Sequence, residues 1–367
     1  MDDAIATAGS CFAQYIGRRL RRAGLNVLDA EPAPRAAAEA VARDFGYGIY
    51  SARYGNIYSA RHFVQLLRDA LTDFVDPAYV WDRHGRYFDA LRPVIEPDGF
   101  VSVDEALAMR RIHLAAVRSV FTRATCVFFT LGLTECWVER RTGRVFPTCP
   151  GVVAGHFDPA LYEFVSLGHD DVLADLAELR DTLKALHPAG RLILSVSPVP
   201  LTATVSGQHV LVATNQSKAV LRVAAGAFAA GHADVDYFPS YEIVNNPAAM
   251  GSFFAPICVM SLTAGWIRSW RLSLRRRGCV IRTARRRRGW AAKRSTAIRP
   301  IARKSSKRLS RDEFRAGASD RELPSRRAAQ CPARLAGALA RFPPRYIRPA
   351  RTRHRRARAS RRRAPVR

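Results

Sequence analysis

Ala4-Ile5-Ala6-Thr7-Ala8-Gly9-Ser10-Cys11-Phe12 stands near the start of the chain, and its reading decides the fold. Ala4 to Ala8 is a short run compatible with a β-strand. Gly9-Ser10 interrupts it, and Phe12, Tyr15, Ile16 and Leu20 then recur at helical spacing, with Gly24 as a stop. A strand, a tight turn and a helix are therefore expected in succession. Ser10 stands in the turn, where a serine either caps the helix or is presented by it.

Outward from this unit the pattern alternates. Residues 25 to about 120 read as helical and loop-rich, with apolar periodicity at Phe63, Leu66, Leu67 and Leu71 and again from Ala106 to Val120. Cys126 to Leu131 is a continuous apolar run of the kind found in a strand buried on both faces. Asp171 to Leu186 reads as an amphipathic helix, Leu192 to Val196 as a strand, Ser217 to Ala230 as a helix and Val235 to Phe238 as a strand. Strands alternating with helices predict an α/β protein with a doubly wound parallel sheet and helical insertions. Ligands bind such sheets at the carboxyl ends of the strands. Ser10, Thr134 with Glu135, Ser195 with Ser197, and Ser240 with Glu242 all fall there.

The charge divides the chain. Residues 1–257 hold 24 Lys+Arg against 27 Asp+Glu, a net of −3; residues 258–367 hold 35 against 4, a net of +31. A basic, nucleic-acid-coating surface is thereby excluded for the first part. The second part has no sustained period of 2 or 3.6 and is read as a disordered basic tail. Two regions follow: a domain over 1–256 and an Arg-rich tail over 257–367. The acidic start, Met1-Asp2-Asp3, lacks the features of a secretory signal, and no run of about 18 apolar residues marks a membrane span. Seven cysteines without C-x-x-C spacing argue against a zinc cluster or a disulfide framework. A cytoplasmic setting is expected, with no metal, no cofactor and no membrane partner.

The motifs are more specific than the composition. Gly9 to Ala13 reads GSCFA, Gly132 to Glu135 reads GLTE, and Tyr237 to Glu242 reads YFPSYE, accompanied by Ser197-Pro198 and Ser217-Lys218-Ala219. Over about residues 4–256 the chain resembles the bacterial GSCFA-domain family, which is similar to SGNH-type hydrolases with a flavodoxin-like sheet. The resemblance implies hydrolysis or transfer of an O-acyl ester on a carbohydrate-type substrate. It also implies residues ahead of the first strand. Ser10 would be the nucleophile, lifted out of the sheet by the turn, with backbone N–H groups at the helix start facing the developing oxyanion. Gly55-Asn56 and Gly132 with Thr134 would supply further oxyanion donors. Thr134 replaces the usual Asn and is a rotatable donor. Glu135, Trp137, His209 and Glu242 are the candidate substrate contacts. Each has a plain alternative: a cap for Ser10, a turn for Gly55-Asn56, a structural hydrogen bond for Glu135, a loop histidine for His209. Cys11 is read as a packing residue.

A serine nucleophile needs a base, and the resemblance implies an Asp-x-x-His soon after YFPSYE. None is present; Ile257-Cys258-Val259-Met260-Ser261-Leu262 stands there instead. Written as ATC TGC GTC ATG TCA CTG and preceded by one G, that stretch regroups to Asp-Leu-Arg-His-Val-Thr. The expectation is a shifted reading frame from about residue 257, which accounts for the aperiodic Arg-rich composition as well. Resequencing the DNA across codons 250–270 tests this, and an Ile-Cys-Val-Met frame shared by close relatives would end it. Activity is then expected to be impaired. Two other functions stay open: a non-catalytic module that binds a glycan or acyl group, and a nucleic-acid-binding protein acting through the tail, whose 35 positive charges bind phosphate without specificity.

Overall fold

The computed structural model describes residues 3–246. A central sheet of four parallel strands runs in the order β1 (Ile5–Gly9), β4 (Cys126–Leu131), β8 (Arg191–Val196), β9 (Val235–Phe238). All four are the strands expected from sequence. Their carboxyl ends are in register: Gly9 faces Thr130, Thr130 faces Ser195, and Ser195 faces Phe238.

On its other edge β1 meets a single parallel bridge, Ile5 with Val27, closed by Ile5 N–H to Asn26 O and Leu28 N–H to Ile5 O, both 2.9 Å. The chain therefore leaves β1 through helix α1 (Cys11–Arg22) to one side and returns through β4 on the other. This is the flavodoxin-like order with its second strand cut to one bridge. Pro32 and Pro34 follow within a few residues, and a residue without an N–H cannot extend that ladder. The order reverses between β1 and β4, so the crevice of an open α/β sheet falls at Ser10 and Gly132.

Two cores follow from the period-2 alternation of the strands. Ala6, Ala8, Val127, Phe129, Leu131, Leu192, Leu194 and Val196 pack on helices α3 (Ala60–Thr72), α4 (Val103–Arg123), α5 (His169–Leu186) and α6 (Val210–Gly231). Ile5, Phe128, Ile193 and Phe238 face the other way, onto Phe12, Ile16 and Leu20 of α1 and Val244 of α7 (Ser240–Val244). Ser59 and Ser102 cap α3 and α4 by accepting from His62 N–H and Glu105 N–H.

The long connection from β1 to β4 carries α2 (Glu39–Asp44) and a hairpin, β2 (Val80–Arg83) with β3 (Arg86–Asp89). Its turn residues His84 and Gly85 both have positive φ, 56° and 74°, as a two-residue type I′ hairpin requires. Between β4 and α5 a second antiparallel sheet forms from β5 (Glu135–Glu139), β6 (Val145–Phe146) and β7 (Tyr162–Ser166), in the order β6-β5-β7. Neither small sheet was expected from sequence.

A buried ionic cluster locks this region to the core. Arg92 Nε donates to Asp89 Oδ2 at 2.8 Å, Arg110 reaches both Asp89 (3.2 Å) and Asp69 (2.7 Å), and Arg144 donates to Asp69 at 2.5 Å. Burial disfavours the Asp89 charge, yet Arg110 and Arg92 overrule it and hold the carboxyl down at about 2. Asp89→Ala is expected to cost about 3–5 kcal/mol in urea unfolding, because the buried Arg92 guanidinium loses its carboxylate and Arg110 is left with Asp69. In the native protein the Asp89 contribution is complete above its unfolded value of about 4. It is lost as pH falls towards about 2, so the fall in urea-unfolding stability between about pH 4 and about pH 2 should be shallower in Asp89→Ala than in wild type or in a surface Asp variant.

Candidate active site

Gly9 places Ser10. Its φ is +138°, and a Cβ there would lie 2.5 Å from the Thr130 carbonyl oxygen and 2.8 Å from the Thr130 nitrogen. Only glycine lets β1 approach β4 this closely and then turn into α1. Ser10 N–H closes the turn on Thr130 O at 3.1 Å, and Ser10 O accepts from Ala13 N–H at 2.8 Å. Ser10 holds the N-cap position of α1, but its hydroxyl accepts no capping bond. That hydroxyl is buried and has no hydrogen-bond partner among the described residues. An orphaned buried hydroxyl costs about 1–3 kcal/mol and calls for a reason. Here it sits at the positive end of a 12-residue helix.

The surrounding frame is polar and tightly tied. Gly132 follows β4 and lies directly against Ser10: a Cβ on it would come within 2.9 Å of Ser10 Cβ and 2.8 Å of the Tyr58 ring. Gly132 N–H donates to Tyr58 O at 2.7 Å and Ile57 N–H to Gly9 O at 2.9 Å, so the 57–58 strand of loop is laced to both sheet ends. The Tyr50 hydroxyl lies 2.6 Å from Asn56 Oδ1 and 3.1 Å from Ser10 O, and Asn56 Nδ2 donates to the Tyr58 hydroxyl at 3.0 Å.

The expected site residues divide into two groups. Ser10, Gly132 and, through Tyr50 and Tyr58, Asn56 come together; Gly55 supplies the left-handed turn before Asn56, with φ of +70°. Thr134 lies two residues beyond Gly132 and is buried. Its N–H donates to Ser217 Oγ at 2.9 Å, and its hydroxyl is 3.5 Å from that of Ser166. The Gly132 and Thr134 backbone N–H groups are thus both engaged, with Tyr58 O and Ser217 Oγ. Glu135 opens β5 and accepts from Thr204 at 2.7 Å; burial pushes its carboxyl up. Trp137 lies on the same face of β5, edge-on to Phe157 and Phe164 at 5.1 and 5.8 Å between ring centres.

His209 and Glu242 have partners of their own, and none of these is Ser10. His209 is exposed and caps α6, its Nδ1 accepting from Leu211 N–H at 3.3 Å. Glu242 accepts from Arg222 and, at 3.0 Å, from the Tyr237 hydroxyl, while the Arg222 guanidinium lies 4.3 Å from the centre of the Tyr237 ring. The YFPSYE block is also anchored by Ser240, which meets Ser195 and donates to Val196 O at 2.8 Å.

Lys218 was named from sequence only as part of a motif. Its side chain is buried, and its ammonium donates to Gly132 O. Burial pushes it down to about 7. The available signal was its spacing: Thr214, Lys218, Leu221, Ala225 and Phe228 form one buried stripe of α6, and a lysine there is out of place. Burial, by contrast, pushes the Cys11 thiol up, so the neighbouring sulfur is not a thiolate competitor to Ser10.

The sequence matches the GSCFA family over residues 4–260. The chain belongs to the GSCFA family. The match ends within the first residues of the basic region, and the stretch where Asp-x-x-His was expected lies outside the described residues. No curated protein and no solved structure matches the chain. The GSCFA name motif is therefore the β1–α1 turn itself: glycine for the approach to β4, serine at the helix end, and Phe12 and Ala13 buried beneath it. Among the described residues no group of three His, Cys, Asp or Glu side chains is placed to hold a metal ion, and no helix is long and apolar enough to cross a membrane.

Proposed function

We propose that this GSCFA domain is built to hydrolyse or transfer an O-acyl ester on a carbohydrate-type substrate, in a cytoplasmic setting, with Ser10 as nucleophile. The observation that carries the reading is the Ser10 hydroxyl: buried, unpaired among the described residues, and held at a helix N-terminus where the sheet order reverses. A hydroxyl kept free of its capping bond is available for attack, and the helix end favours the oxyanion that forms. The SGNH-like reading is supported by the same topology. Glu135 and Trp137, on one face of β5 just past Thr134, offer a carboxylate and an aromatic ring, the groups that suit sugar hydroxyls and sugar faces.

Turnover in this chain is expected to be impaired, because no Asp-x-x-His follows YFPSYE. Loss of the base lowers well-studied serine hydrolases by on the order of 10⁴-fold or more. With p-nitrophenyl acetate the full chain should release nitrophenol slowly and in a Ser10-dependent way. Fast Ser10-dependent turnover would overturn the impairment, and turnover that survives Ser10→Ala would overturn the assignment of the nucleophile. The missing block also favours a second reading, a module that binds a glycan or acyl group without cleaving it. That module would bind an acylated sugar yet form no covalent adduct with a fluorophosphonate.

A further inference from the structure

We propose that Lys218 is the residual proton acceptor for Ser10, standing in for the Asp-x-x-His that does not follow YFPSYE in this chain. The proposal rests on the reading of Ser10 as a nucleophile and names the group that serves it.

Gly132 connects the two. Its α-carbon side lies against Ser10 Cβ, and its carbonyl takes the Lys218 ammonium. Both ends of this arrangement are incomplete. The Ser10 hydroxyl is a buried donor without an acceptor among the described residues. Lys218 is a buried amine whose one hydrogen bond goes to a carbonyl, and no carboxylate pairs with it among the described residues. A neutral amine carries a lone pair, and that is the acceptor the serine O–H lacks. Burial favours that neutral form and brings its titration to about 7. Among the described residues no His, Asp or Glu is bonded to the Ser10 hydroxyl.

The charges on neighbouring elements are occupied elsewhere. Asp175 of α5 is held by Arg61, Asp234 ahead of β9 by Arg180, and Arg222 on α6 itself by Glu242. The titratable group that acts on Lys218 is Cys11 of α1, whose thiol burial keeps protonated.

The step balances without another reactant. The Ser10 O–H bond breaks and its proton goes to the Lys218 lone pair, while Oγ bonds to the acyl carbon. The bond from that carbon to the alcohol oxygen then breaks, and the Lys218 ammonium returns the proton to the departing oxygen. Acyl-Ser10, neutral Lys218 and a free alcohol remain.

The test is the rate at which an alkyl fluorophosphonate modifies the full chain, followed by intact mass from about pH 5.5 to about pH 9.5. The wild-type rate should rise to a plateau with a midpoint near 7, and Cys11→Ala should keep that midpoint. Lys218→Met should react at least about 100-fold more slowly and without the midpoint. Lys218→Arg, which keeps a charge but cannot accept the proton, should do the same. Modification of Ser10 that is unchanged in folded Lys218→Met overturns the role of Lys218 and leaves the nucleophile standing. No modification of wild-type Ser10 overturns both. Where the lysine variants do not fold, the wild-type profile decides, because a rate without a midpoint between about 6 and 8 overturns the proposal.

Discussion

Ser10→Ala is expected to lose two things and gain one. Ester turnover should fall to the uncatalysed background and the fluorophosphonate adduct should disappear, while stability is unchanged or rises by up to about 1–3 kcal/mol. The rise has a specific origin. In the native protein the hydroxyl is buried with no partner among the described residues, so the alanine variant removes a desolvated group and none of their hydrogen bonds. A serine that served only as a helix cap would behave in the opposite way, losing about 0.5–2 kcal/mol on conversion to alanine. Urea unfolding and probe labelling of the same variant thus separate the two roles of a serine in this turn. A loss of more than about 1 kcal/mol with labelling intact would return Ser10 to the role of a cap.

Gly9→Ala should be the most damaging single methyl in the domain. Two penalties combine: φ of +138° is a region that L-residues rarely occupy, and the new Cβ would stand 2.5 Å from Thr130 O. The obstructing atoms belong to the backbone of β4, which is paired on both sides with β1 and β8 and has nowhere to go. A loss of about 4 kcal/mol or more is expected, enough to lower the melting temperature by about 10 °C or to prevent soluble expression. Gly132→Ala is the instructive comparison. Its new Cβ meets the Tyr58 ring, which can turn, and Ser10 Cβ, which cannot move without its backbone, but Gly132 has no left-handed φ to add strain, so a smaller stability loss should come with slower labelling of Ser10. Equal stability of Gly9→Ala and wild type would contradict the packing described for this turn.

The central sheet was legible because its strands are short, apolar and buried on both faces. Cys126 to Leu131 could hardly be read otherwise, and GSCFA marked the turn on the strength of one glycine and one serine. Other features depended on tertiary context. The His84-Gly85 hairpin turn adopts a type I′ conformation that Asn-Gly would have announced and His-Gly does not. Val27 is a strand only in the sense of one bridge, since the prolines after it stop the ladder. Helix α6 begins at Val210, seven residues before the start expected, because exposed Leu211 and Val212 blur its apolar stripe and the capping group is a histidine. That same histidine and Glu242 drew attention as polar residues near strand ends. Each is engaged in holding α6 or the YFPSYE block in place. Lys218 carried the reverse signal, a charge on a buried helical stripe, and its meaning emerges only when α6 is laid against Gly132.

Peptide mapping by mass spectrometry of the fluorophosphonate-treated full chain is the most direct measurement of the nucleophile. A single adduct on the peptide containing Gly9-Ser10-Cys11, placed on Ser10 by fragmentation, is expected. No adduct on that peptide, or one on a different serine with Ser10 unmodified, would contradict it.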